Sequence, residues 1–120
     1  MNLATYYQDG PRIGVADGGM MWDLRRVMAL WLFEVERNVR APAIAAALVP
    51  DDMALFVRLN HGGLAQFRDA LAWVAENRES LRGGAVGSQP LATPLDDVRL
   101  LPPIVQPSKV ICVGNSYADY

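Results

Sequence analysis

The side chains most able to do chemistry are few in this chain. His61 is the single histidine, set in Asn60-His61-Gly62-Gly63 between two helical stretches. No second histidine is present to build a zinc site, and no serine stands in a recognisable pairing context. His61 therefore reads as a polar loop residue, with a general-base role as the alternative. Cys112, the single cysteine, is flanked by Ile111 and Val113, which suits an inert buried thiol better than a nucleophile. Asp51-Asp52 and Asp96-Asp97 are carboxylate pairs, but adjacent side chains on a cap or strand start diverge, which disfavours a shared metal. Gly83-Gly84 and Gly87 match neither the dinucleotide nor the P-loop spacing. Trp22, Trp31 and Trp73 fall inside expected elements and read as core. Spacing alone thus assembles no chemistry in residues 1–96.

Composition narrows the classes further. A chain of 120 residues with 52% hydrophobic side chains and a mean hydropathy of +0.10 has the makings of one small packed domain. A net charge of −2 gives no electrostatic reason to expect nucleic acid or an anionic membrane. The most apolar window, Val27–Phe33, is interrupted on both sides by Arg25, Arg26, Glu34 and Glu36, far short of a membrane span. Met1–Gly10 lacks the charged start and apolar run of a secretory leader. One cysteine fits a reducing compartment, so the cytoplasm is the default expectation.

Elements must position whatever chemistry exists. Leu3, Thr5 and Tyr7 alternate, Asp9-Gly10-Pro11 turns, Ile13 and Val15 alternate again, Asp17-Gly18-Gly19 turns, and Met20–Trp22 returns; this predicts a small antiparallel meander. Asp23 sits where a helix N-cap is wanted. Leu24, Val27, Met28, Trp31 and Val35 follow at helical spacing, with Arg25, Arg26, Glu36 and Arg37 largely on the other side. Pro42 ends that helix, and a short Ala-rich helix restarts over Pro42–Leu48. Pro50-Asp51-Asp52 starts another over Met53–Leu59. The clearest stripe is Leu64, Phe67, Leu71, Val74 and Leu81, opposite Gln66, Arg68, Asp69, Glu76 and Glu79, with a left-handed C-cap expected at Gly83-Gly84. Residues 83–96 lose periodicity and read as a linker. The chain resumes at Val98–Leu101 and reaches Lys109–Val113, a β-branched run closed by Gly114. The expected class is α+β: residues 1–82 as an N-terminal lobe, 83–96 as a linker and 97–120 as the start of a second unit.

The segment Pro102-Pro103-Ile104-Val105-Gln106-Pro107-Ser108-Lys109-Val110-Ile111-Cys112-Val113-Gly114-Asn115-Ser116-Tyr117-Ala118-Asp119 resembles the opening of the catalytic domain of the fumarylacetoacetate hydrolase family. A Pro-rich lead, a lysine, an apolar strand and a Tyr-x-Asp turn come in that order. Asn2-Leu3-Ala4-Thr5-Tyr6, Arg12-Ile13-Gly14-Val15 and Asp17-Gly18…Asp23-Leu24 are similar to the N-terminal lobe of the same family. The helical middle, about residues 25–90, carries no family signature.

The resemblance implies an N-terminal lobe, a linker and then the first strand of a mixed β-sandwich roll, with the chain ending as the catalytic domain begins and inactive alone. It implies a parent enzyme that hydrolyses C–C bonds of dicarbonyl and 2-oxo acids, or isomerises or decarboxylates related compounds. Mg2+ or Mn2+ held by carboxylates would chelate adjacent substrate oxygens and stabilise the enolate formed on cleavage. Tight metal binding to the 120-residue chain itself is not expected. Implied partners are the rest of the catalytic domain and a small dicarbonyl or 2-oxo acid, and a homodimer is among the assemblies allowed. Tyr117 becomes a substrate-contact candidate and Asp119 a metal-ligand candidate, against its reading as a helix N-cap. Tyr120 stands where many members have the catalytic histidine. Three readings stay open: a base further along, as in the fumarylacetoacetase branch; a relative without hydrolytic chemistry; or a site that does not continue normally. The rival to the whole scheme is a non-catalytic capping or interaction domain. Lys109–Val113 is apolar on both faces and needs partner strands, so residues 97–120 are expected to be weakly anchored alone or paired with another chain.

Overall fold

A computed structural model describes residues 2–60 and 65–102. The architecture is α+β. The first hairpins form as the alternation requires: β1 (Asn2–Tyr7), β2 (Pro11–Asp17) and β3 (Met20–Asp23) run antiparallel in sequence. Two later strands complete a five-stranded sheet of order β6-β3-β2-β1-β7, with β6 at Ala92–Pro94 and β7 at Arg99–Leu101. The register pairs Thr5 with Ile13, Val15 with Trp22 and Met21 with Thr93.

Because side chains alternate along a strand, this register separates two faces. One carries Leu3, Ile13, Val15, Met20 and Trp22, which join Leu24, Val27 and Met28 of the first helix in the core. The other carries Tyr6, Arg12, Gly14, Met21 and Asp23. Gly14 is the one place on β2 where a side chain has no room: an added Cβ would lie 2.6 Å from the Met21 sulfur and 2.8 Å from the Tyr6 ring.

Helix α1 (Leu24–Glu34) begins where Asp23 accepts the Arg26 backbone N–H. It stops well before Pro42, although the apolar spacing continues through Val35. Arg37 takes a left-handed φ of 56°, and the Asn38 N–H reaches back to the Leu32 carbonyl. The Asn38 side chain then accepts the Arg40 N–H at 2.8 Å, a local turn bond just ahead of the next helix. Helices α2 (Ala41–Leu48) and α3 (Met53–Leu59) follow, α2 with proline in its first turn and α3 capped by the Asp52 side chain.

The long stripe expected over Leu64–Leu81 is divided. A 3-10 turn (Ala65–Phe67) leads into α4 (Arg68–Glu76), and Asn77 separates it from the single turn α5 (Arg78–Leu81). Asn77 turns its side-chain amide onto the Trp73 carbonyl at 2.8 Å, and Ser80 donates to the Asn77 carbonyl. Both are side-chain bonds that offer the backbone an alternative to the helix. Phe67, Ala70 and Val74 are buried, and the Phe67 ring meets Phe56 at 5.5 Å between centroids. The described residues contain no helix long and apolar enough to cross a membrane.

Residues 83–96 differ from the linker expectation. The left-handed C-cap is not formed; Gly84 instead donates to the Leu81 carbonyl at 2.8 Å. A tight hairpin of β4 (Ala85–Val86) and β5 (Gln89–Pro90) follows, turning at Gly87. Leu91 is then 1% exposed and sits in the core, its N–H bonded to Gly84 and its carbonyl to the Asp23 N–H. Gly, Ser and Pro disguise the segment because its strands are two or three residues long, too short for period-2 patterning. Arg99–Leu101 likewise belongs with the lobe's sheet, pairing with β1. Lys109–Val113 lies outside the described residues.

Candidate functional site

Two places in the fold gather polar groups with defined geometry. The first is centred on Asp23, at the junction of β3 and α1, and is 1% exposed. One carboxylate oxygen accepts the Tyr6 hydroxyl at 2.9 Å and the Arg12 Nε at 2.5 Å. The other accepts the Arg26 backbone N–H at 3.0 Å. The Arg26 guanidinium lies 3.6 Å from the same carboxylate and extends across the lobe. It donates to the Gln8 side chain, to the Pro90 carbonyl at 3.0 Å and to the Gln89 side chain at 3.1 Å. The helical spacing predicts Arg26 on the solvent side; instead it is buried, because the β4–β5 hairpin folds over it. Gln8 in turn reaches Thr93 on β6.

The electrostatics follow from burial. The Tyr6 hydroxyl is held far above its ordinary pKa, first by desolvation and then by the adjacent Asp23 carboxylate. Burial opposes charge on Arg12, but the hydrogen bond and attraction of Asp23 outweigh it and raise its pKa. A protonated phenol and two guanidiniums thus enclose one carboxylate. This cluster is fully engaged within the protein, and no buried side-chain polar atom among the described residues lacks a partner. Its chemistry is to hold the sheet, α1 and the β4–β5 hairpin together.

The second place is a half-open cleft of about 580 Å³ between the β2–β3 turn and α4. Val15, Ala16 and Trp22 form one wall, and Leu71, Ala72 and Ala75 the other. Among the described residues Asp17 and Arg68 are its charged lining groups. Asp17 is occupied: its carboxylate takes Arg78 Nη2 at 2.8 Å and Nε at 3.0 Å, and its carbonyl takes the Trp22 indole N–H at 3.1 Å. The turn it starts runs through Gly18 and Gly19 at φ 61° and 77°, a conformation side-chain-bearing residues rarely adopt. Arg78 packs over Gly18, 2.9 Å from where a Cβ would stand.

The residues singled out by sequence fall elsewhere. His61, Cys112, Tyr117, Asp119 and Tyr120 all lie outside the described residues. Asp51 pairs with Arg25 at 2.9 Å, and Asp52 caps α3. Among the described residues no group of three or more His, Cys, Asp or Glu side chains could hold a metal ion. Sequence reasoning missed Arg26, Gln8 and Gln89, whose association depends on a contact across more than 60 residues. It also missed the cleft, which exists only once α4 packs beside the β2–β3 turn.

Comparison with protein-family models, with curated proteins and with solved structures finds no match to this chain.

Proposed function

We propose that the chain is the N-terminal lobe and first catalytic strand of a divalent-metal-dependent enzyme of the fumarylacetoacetate hydrolase type, acting on C–C bonds of dicarbonyl or 2-oxo acids. The observation that carries this reading is the ordered run from Pro102-Pro103 through Lys109, Ile111-Cys112-Val113-Gly114 and Tyr117-Ala118-Asp119. Its agreement with the segments Asn2–Tyr6 and Arg12–Val15, in the family's order, adds weight. In this reading the catalytic part begins after Leu101 and not at residue 97, because β7 pairs with β1 of the lobe. In this reading Tyr117 contacts substrate, Asp119 is a ligand to Mg2+ or Mn2+, and Tyr120 replaces the common histidine.

The described lobe is a poor fit for the metal itself. Its buried carboxylate, Asp23, is committed to Tyr6, Arg12 and the start of α1. The proposal therefore assigns the metal to Asp119 and downstream carboxylates, and assigns the lobe a supporting role. The test uses the polypeptide encoded by the complete reading frame, assayed on 2,4-dioxo acids with Mg2+ or Mn2+. Metal-dependent cleavage, isomerisation or decarboxylation is expected, with Asp119→Ala lowering kcat/KM by about 100-fold or more, beyond the usual cost of losing a ligand's outer support. A reading frame that stops at Tyr120, or a complete protein inert on this class with both metals, refutes it. The second reading, a non-catalytic capping or interaction domain, draws on β7, which joins the lobe's own sheet through β1.

A further inference from the structure

We propose that the cleft between the β2–β3 turn and α4 is a binding site for a small amphipathic carboxylate, with Arg68 holding the carboxylate. This proposal is independent of the reaction assigned above.

Three observations on the cleft converge. Its volume, about 580 Å³, falls within the roughly 300–1,000 Å³ range of small-molecule sites, which are typically apolar clefts with a few placed polar groups. Its walls have that composition: Val15, Ala16, Leu71 and Ala72 supply apolar surface, and the short alanine side chains leave the space open. Its turn wall is also braced, because Arg78 clamps Asp17 and covers Gly18, so the gap is not simply closed by a shift of that turn.

Charge decides the ligand. Among the described residues two charged groups line the cleft. Asp17 is neutralised by Arg78 in a two-bond contact, while Arg68 has no hydrogen bond or ion pair among the described residues and is exposed. Among the described residues the cleft therefore presents one guanidinium without a counter-charge, beside an apolar interior. A planar guanidinium matches a carboxylate through two parallel N–H···O bonds. A single arginine suits one carboxylate head better than a phosphate, which draws on more donors. The apolar interior then takes a compact aryl or short alkyl body.

The test titrates the full chain with benzoate, with benzyl alcohol as a neutral body of similar shape, and follows backbone amide shifts by NMR. Saturable shifts at Ala16, Gly18 and Ala72 are expected with benzoate, and binding of benzyl alcohol at least about 10-fold weaker, the effect of some 1.4 kcal/mol. Arg68→Gln, an exposed change, should reduce benzoate to the level of the alcohol while the remaining spectrum stays dispersed. Ala72→Leu should fill the cleft and weaken both probes. The proposal is overturned if benzoate gives no saturable shift at these amides, if alcohol and acid bind equally, or if Arg68→Gln leaves benzoate affinity unchanged.

Discussion

At the scale of single residues, Asp23 does the most. It caps α1 with one oxygen and holds Tyr6 with the other, while Arg12 donates to both. Replacing it with Ala strands two guanidiniums in a largely buried setting, so a loss of about 3–5 kcal/mol is expected by urea denaturation. Tyr6→Phe removes only the phenol donor and should cost about 1.5–3 kcal/mol, as for hydrogen bonds to charged groups. The same variant tests the electrostatics. The native phenol keeps its proton where an unfolded tyrosine, with its ordinary pKa near 10, releases it. The unfolded state then binds fewer protons, so Tyr6's contribution is complete below about pH 10 and declines as pH rises above it. The stability gap between the natural protein and Tyr6→Phe should narrow by about 1.4 kcal/mol per pH unit there; a constant gap up to pH 11.5 would contradict the assignment. Asp23 was legible as a helix cap from its place before an apolar run. Its second role was not, because Tyr6 and Arg12 meet it only once the β1–β2–β3 register is set.

Among the elements, the meander, α2 and α3 follow directly from alternation, turn residues and caps such as Asp52. The boundaries that differ have local causes. Asn77 turns its side-chain amide onto the Trp73 carbonyl at 2.8 Å where α4 gives way to α5, and past the end of α1 the chain turns through Arg37 at a left-handed φ of 56°. The β4–β5–β6 segment was hidden by its composition, since strands of two or three residues carry too few positions to show a period. Its contribution is testable. Leu91 is a fully buried core side chain, and Leu91→Ala should cost about 2–5 kcal/mol; a midpoint shift typical of a solvated linker would refute its place in the core. Gly14→Ala tests the opposite face of the sheet. The added methyl must displace Met21 or Tyr6, and about 1–3 kcal/mol of overpacking cost is expected in thermal unfolding.

At the scale of the molecule, the lobe closes on itself through contacts far apart in sequence. Residues up to 82 supply three strands and the helices, but β6 and β7 flank that sheet, and Leu91 fills its core. A chain ending at residue 82 should therefore give broad, noncooperative melting, whereas one ending at 102 should unfold in a single transition. The candidate chemistry divides along the same line. The motif that suggests an enzyme was legible as a string and from residue 103 on lies outside the described residues, while the cleft is a product of packing that no string of residues announces. The hairpin tip at Gly87-Ser88 has a practical consequence of its own. Both residues are exposed, and beneath them Gln89 and Pro90 grip Arg26. A protease cutting at that tip would leave each half bound to the other by the sheet and by this arginine. The nicked protein should migrate as one species under native conditions and separate into two only in denaturant, making the lobe a natural two-piece complementation pair.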